Sequence, residues 1–197
     1  MRIGMTGAGG TGKTTVLNIL KERYPTIPVL PSPIRSVYAR WGITEEDQEK
    51  MSFEDKLKLQ EDIYNTRFST EDNYPAGFIS DRTCLDHFCY QQIRCYAAMT
   101  QEMIDIKRQQ IRDNMNKYDL ICYFPITFTP QGDDVRYGNP VFQNMIDNFI
   151  YAEIHKLELN VLTVGKGSPE DRAGRIGAYI DVLLQPNLLF NGGFYDG

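Results

Sequence analysis

Eight consecutive residues, Gly7-Ala8-Gly9-Gly10-Thr11-Gly12-Lys13-Thr14, join a glycine-rich turn to one ammonium and one hydroxyl. This G-x-x-x-x-G-K-[ST] spacing lets successive backbone N–H groups turn inward around phosphate oxygens. Lys13 then reaches the β- and γ-phosphates, and the Thr14 hydroxyl is a ligand for Mg²⁺. Thr15 stands beside them where a helix begins, so the helix N-terminus also faces the anion. The pattern predicts a site for a nucleoside triphosphate, ATP, with Mg²⁺. The strand-like Arg2-Ile3-Gly4-Met5-Thr6 precedes it, and Val16, Leu17, Ile19 and Leu20 follow at helical spacing. A glycine-rich turn that matched by accident would lack that context.

A second chemical group lies in Phe78-Ile79-Ser80-Asp81-Arg82, which puts a carboxylate at the carboxyl end of a predicted strand. In an open α/β sheet that edge binds ligands. Asp81 there can orient or deprotonate an acceptor hydroxyl, or hold a Mg²⁺ water. It can also simply cap the helix that follows. Asp86, one turn into that helix, is expected to point into the same cleft and meet an acceptor hydroxyl. Gln60, Tyr64 and Arg67 stand at i, i+4 and i+7 and share one helix face. That face can read a base, with Gln60 offering a donor and an acceptor and Arg67 a fork to a phosphate or to the Asp81 region. It can equally be a partly solvated surface. Arg136 sits in a polar, glycine-flanked loop at 127–139, where closure would bring its guanidinium onto a transferring phosphoryl group. Asp133 and Asp134 can instead neutralise it.

The elements that must position these groups follow from apolar periodicity and breakers. Strands are predicted near 2–6, 27–30, 77–81, 119–124 and 160–164, and helices near 13–24, 33–41, 52–72, 83–98, 101–117, 140–158 and 169–184. Such alternation implies an α/β fold with a parallel sheet covered on both faces. Ser52 and Ser168 are suited to cap the helices after them, and Asn139-Pro140 supplies a cap with proline at the first helical position.

With 197 residues, 42% hydrophobic and 24% charged, the chain fits one domain over 1–197 with a full core and a mobile lid. The sequence lacks an apolar run of membrane-spanning length and an apolar N-terminal leader, so a cytoplasmic protein without membrane contact is expected. A homodimer stays open. Cys84, Cys89, Cys95 and Cys122 form no C-x-x-C pair, and with His87 they match no common zinc spacing. His87, between Asp86 and Phe88, reads as structural. The net charge of −5 argues against a broad basic surface for nucleic acid and leaves only a narrow basic cleft.

Asp81-Arg82-Thr83 followed by Tyr90-Gln91 resembles the D-R-x…Y-Q segment of thymidylate kinases. The helix from Leu59-Gln60 to Arg67 is similar to the long helix of deoxynucleoside and thymidylate kinases that carries a base-contacting glutamine and an arginine. Asp133-Asp134-Val135-Arg136, and Gly165 with Arg172, look like later segments of ribosylnicotinamide kinases and related small P-loop kinases. The chain thus resembles the small P-loop kinases of the thymidylate kinase-like group. The resemblance implies a three-layer fold, with a five-stranded parallel sheet flanked by helices and a lid at about 127–139. It implies Lys13, Asp81 and Arg136 as catalytic, Thr14 and Asp81 at Mg²⁺, and Arg35, Gln60, Tyr64, Arg67, Arg82 and Asp86 around the acceptor. Gly165-Lys166-Gly167-Ser168 would contact adenine, with Arg172 covering the ring; a plain turn capped by Ser168 is the alternative.

Arg35 follows the second strand, where thymidylate kinases carry an arginine for the acceptor phosphate, but Pro31-Ser32-Pro33-Ile34-Arg35 lacks the glutamate found with it there. Phage-type enzymes that phosphorylate 5-hydroxymethyluracil within DNA are related to this group. The missing motif puts that modified DNA first as acceptor, held in a groove of Arg35, Arg40, Arg67 and Arg82. A free deoxynucleoside or its monophosphate comes second. A non-kinase P-loop ATPase or switch is the reading of another class.

Overall fold

The computed structural model describes residues 1–127 and 139–185. Its strands β1 (Arg2–Thr6), β2 (Val29–Leu30), β3 (Phe78–Asp81), β4 (Leu120–Tyr123) and β5 (Leu162–Thr163) form one parallel sheet in the order β2-β3-β1-β4-β5. The helices are α1 (Lys13–Arg23), α2 (Ile34–Trp41), α3 (Glu45–Lys50), α4 (Phe53–Asp72), α5 (Cys84–Arg94), α6 (Gln101–Met115), α7 (Pro140–Lys156) and α8 (Pro169–Leu184).

Alternation along the strands sorts side chains to two faces. Phe78, Ile121 and Tyr123 pack with Leu85 and Phe88 of α5, Ile111 of α6 and Ile146 and Ile150 of α7. On the other face Ile3, Met5, Ile79 and Cys122 meet Val16 and Leu20 of α1 and Ile176 and Ile180 of α8. The result is the expected three-layer α/β architecture, with a core on each side of the sheet. Full burial of each such aliphatic or aromatic side chain contributes about 1.5–3 kcal/mol.

Ser52, Asn139 and Ser168 cap α4, α7 and α8 through their side-chain oxygens, as their positions predicted. The edge strands β2 and β5 are shorter than expected, because each has a neighbour on one side only and pairs over two residues. The helix expected over 83–98 stops at Arg94 and gives way to a short 3-10 turn at Tyr96–Ala98. Helix α3 was not anticipated, since Glu45-Glu46-Asp47-Gln48-Glu49-Lys50 has no apolar period. Its signal was local: Thr44 and Asp47 form a capping box, and Gly42 ends α2 in the left-handed region at φ +66°. Among the described residues no helix is long and apolar enough to cross a membrane.

Register decides where the chemistry meets. Met5 of β1 lies beside Asp81 of β3 on one side and Cys122 of β4 on the other. The loop that leaves β1 after Thr6 therefore starts next to the Asp81 carboxylate.

Candidate functional site

The loop from Gly7 to Gly12 needs glycine where the chain crowds or reverses. Gly7 has φ +146°, and a Cβ there would lie 2.5 Å from the Phe124 carbonyl oxygen. Gly12, at φ +83°, turns the loop into α1 without a side-chain cap, which leaves the first turn of the helix facing the loop. The Lys13 ammonium folds back under this arch and donates to the carbonyls of Gly7 (2.8 Å) and Ala8 (2.6 Å) and to Thr11 Oγ1 (3.0 Å). Thr14 and Thr15 stand exposed at the start of α1. A glycine-rich arch, a helix N-terminus and an ammonium suit a polyphosphate.

Across from the arch, Thr14 Oγ1 donates to Asp81 Oδ2 at 3.1 Å. Two hard oxygen donors at this distance fit Mg²⁺, which takes few protein ligands and keeps waters and substrate phosphates. When bound there, the ion would neutralise phosphate charge. Among the described residues no cluster of three or more His, Cys, Asp or Glu side chains is arranged to hold a metal.

Arg82 follows at φ +72°, a conformation that strains a non-glycine residue and tends to persist at functional sites. Its guanidinium lies over the Tyr90 ring (4.9 Å) and points Nη1 at the Gly7 carbonyl (3.4 Å) and Asp86 Oδ1 (3.5 Å). Burial works against its charge, but Tyr90, Asp86 and Asp81 outweigh burial and push its pKa above the ordinary arginine value. His87 goes the other way: burial, with Arg67 and Arg82 near, holds its pKa well below the usual imidazole value. It is neutral and packed in the interior, in keeping with a structural part.

Helix α4 presents Gln60, Tyr64 and Arg67 on one face, and all three are almost fully buried. The face is thus interior, not a solvated surface. Lys107 of α6 places its ammonium 4.3 Å from the centre of the Tyr64 ring, and the Tyr64 hydroxyl has no hydrogen-bond partner. Arg67 Nη2 donates to the carbonyls of Pro31 (3.0 Å) and Asp81 (2.7 Å), tying the carboxyl ends of β2 and β3. Arg35 lies apart from Gln60 and Tyr64, on the exposed side of α2, where it lines a cleft with Ser32, Thr66 and Arg67.

Residues 2–172 match the family model of an AAA domain. The chain belongs to that family. No curated protein matches it in sequence. The AAA domain resembles deoxyadenosine kinase from M. mycoides with bound dCTP at 14% identity and a TM-score of 0.69, over 92% of this chain and 99% of that one. Thymidylate kinase from Candida albicans matches at 14% identity and a TM-score of 0.63, over 92% and 91% of the two chains. The NadR protein in complex with NAD and AMP-PNP matches at 16% identity and 0.62, over 91% of this chain but 49% of that one. At such identities the likeness establishes the fold.

Two residues of the AAA domain stand elsewhere than the sequence suggested. Asp86 does not reach toward an acceptor: it is fully buried, and its carboxylate accepts from Gly7 N (2.9 Å), Thr83 N (2.9 Å) and Thr83 Oγ1 (3.0 Å). Arg172 does not lie open over a ring site. It is buried against Phe124, 4.7 Å from the ring centre, and donates to the Thr11 carbonyl at 2.9 Å. Both brace the phosphate loop from behind. Tyr90 and Gln143 join them at Gly9, Tyr90 Oη accepting from its N–H at 3.2 Å and Gln143 donating to its carbonyl. Asp86 and Tyr90 are four apart on α5, so their helical spacing could have shown Tyr90 as a brace; nothing in the sequence marked Gln143. Of the four arginines expected along one groove, Arg35 and Arg67 line one cleft, Arg40 stands beside it on Asp62 (2.7 Å) and Thr66, and Arg82 lies against Tyr90. Arg136, with Asp133, Asp134 and nearly all of the expected lid, lies outside the described residues.

Proposed function

We propose that this AAA domain is a kinase that transfers the γ-phosphoryl group of ATP to a free nucleoside or nucleotide. The observation that carries the reading is the Thr14–Asp81 contact at 3.1 Å, which sets a Mg²⁺-competent oxygen pair between the phosphate loop and a buried polar face. The loop supplies the donor half, with Lys13 neutralising charge as it moves in transfer. Gln60, Tyr64 and Arg67 line the other half, and an interior face of that kind suits a planar base better than a protein partner. Kinases of deoxyadenosine and thymidylate among the structural neighbours support the same class. Sequence resemblance put 5-hydroxymethyluracil in DNA first as acceptor. A free acceptor fits better, because α3 brings exposed Glu45 and Glu49 to Arg94 (3.4 and 3.9 Å), and Arg94 stacks on the Tyr90 that touches the phosphate loop. Carboxylates so placed repel a polyanion.

The test is to give the full chain Mg²⁺ and γ-labelled ATP with hydroxymethyluracil-containing DNA, free deoxynucleosides and free monophosphates in parallel. Label is expected on a free acceptor. Steady ATP hydrolysis with no labelled acceptor would overturn the kinase reading, and label on DNA alone would overturn the free acceptor.

A further inference from the structure

From the surroundings of Arg94, the last residue of α5, we infer that it is a positioning residue for the donor half of the site: its guanidinium pins Tyr90 and the first turn of α7 against Gly9 and so fixes the crest of the phosphate loop. The inference deepens the kinase reading above and rests on it. Gly9 is held on both of its backbone groups by distant side chains. Its N–H donates to Tyr90 Oη at 3.2 Å, and its carbonyl accepts from the Gln143 amide. Tyr90 and Arg94 are four residues apart on α5 and share one helix face. The Arg94 guanidinium lies over the Tyr90 ring at 5.5 Å and over the Phe142 ring at 5.4 Å, and the two rings are 6.1 Å apart. Phe142 adjoins Gln143 at the start of α7. One planar cation thus joins the two helices whose side chains hold Gly9.

The far edge of the guanidinium is held by α3. Arg94 Nη1 donates to Gln48 Oε1, which also accepts from Tyr38 Oη of α2 at 2.6 Å. Gln48 is the buried side chain of α3, a helix with no apolar period to dock it. Glu45 and Glu49 approach Arg94 Nη2 at 3.4 and 3.9 Å, but their side chains are 72% and 64% exposed, and carboxylates in solvent contribute little. The Arg94 side chain is itself only 12% exposed, and its Nε is buried without a hydrogen-bond partner. Sinking a cation this far is costly. What offsets the cost is two ring faces and one amide oxygen, a set that calls for the plane and fork of a guanidinium more than for its charge.

A loop whose N–H groups are set before ATP arrives gives up less freedom on binding, and the saving appears as affinity. Without Arg94 the Tyr90 and Phe142 rings lose the group that joins them, and the Tyr90 and Gln143 bonds to Gly9 loosen. Arg94 acts through those two side chains, so it governs the affinity for ATP and leaves the KM of the acceptor.

The test uses the full chain. Calorimetry with adenylyl imidodiphosphate and Mg²⁺ gives nucleotide affinity, and γ-labelled ATP with a deoxynucleoside or a deoxynucleoside monophosphate gives KM values. Arg94→Met is expected to bind the analogue about tenfold more weakly, with the acceptor KM within about threefold of native. Arg94→Lys keeps a charge beside Glu45 and Glu49 but loses the plane, so it should fold and bind about as weakly as Arg94→Met. Tyr90→Phe removes only the hydroxyl, and in that background the loss from Arg94→Met should shrink to about threefold or less. A lowered Tm with native affinity in Arg94→Met leaves Arg94 a merely structural role and overturns the inference. Native affinity in Arg94→Lys overturns it as well, and that variant decides alone if Arg94→Met does not fold. Losses that multiply to about a hundredfold in the double variant overturn the route through Tyr90. A native chain that binds the analogue and labels no acceptor overturns the kinase reading alone, because the affinity comparison needs no transfer. A native chain that binds no analogue overturns both.

Discussion

Replacing Asp86 by asparagine keeps the shape of the side chain and removes its charge. In the native chain the carboxylate is fully buried and serves three donors at 2.9–3.0 Å, the N–H of Gly7 and the N–H and hydroxyl of Thr83, with Arg82 at 3.5 Å. Hydrogen bonds to a charged group contribute about 1.5–3 kcal/mol each. An asparagine can still accept from one of the two backbone N–H groups, but it turns an NH₂ toward the other. The Thr83 hydroxyl can rotate and accept instead of donate, so the net loss is one charge-assisted bond plus one buried N–H left unpaired. That amounts to about 2–3 kcal/mol. In a domain of this size each kcal/mol moves Tm by about 2–4 °C, so Asp86→Asn should melt about 4–12 °C lower. Scanning calorimetry checks the shift, and initial rates read the KM for ATP, expected to rise about tenfold as Gly7 loosens. An unchanged Tm together with a raised acceptor KM would refute the bracing account and return Asp86 to the acceptor side.

Gly7→Ala should abolish ATP binding, because the added Cβ meets the Phe124 carbonyl oxygen at 2.5 Å and φ +146° suits only glycine; wild-type affinity in a nucleotide titration would contradict the loop geometry. Asp81→Asn should leave ATP binding nearly normal while transfer falls by about two to four orders of magnitude. Thr14→Ala should raise the Mg²⁺ concentration needed for half-maximal rate, and an unchanged requirement in both variants would remove the metal from this pair. Arg108 makes a two-pronged pair with the buried Glu153, at 2.8 and 2.7 Å. Arg108→Ala should therefore cost about 3–5 kcal/mol in a urea melt, and the Arg108→Met, Glu153→Leu double variant should recover most of it.

The phosphate loop and the strands and helices around it were legible in the sequence because local rules make them. Glycine is demanded by positive φ, apolar residues recur with the period of their element, and Ser52, Asn139 and Ser168 cap the helices that start beside them. The strand-end position of Asp81 was legible for the same reason. Helix α3 was missed because its evidence was a cap and not a hydrophobic period. The partner of each buried polar group was not legible, since hydrogen bonds such as Asp86 to Gly7 and Arg172 to Thr11 join residues 79 and 161 positions apart. Nothing local in the sequence says which side of a helix meets a distant loop. The sheet order β2-β3-β1-β4-β5 decided that, by putting Asp81 against Met5 and α5 under the phosphate loop. Residue types therefore determined the glycine-rich loop, its lysine and the helix that follows it. Packing alone turned Asp86 and Arg172 into braces, buried Arg67 with an open edge, and set Arg35 in the same cleft as Arg67.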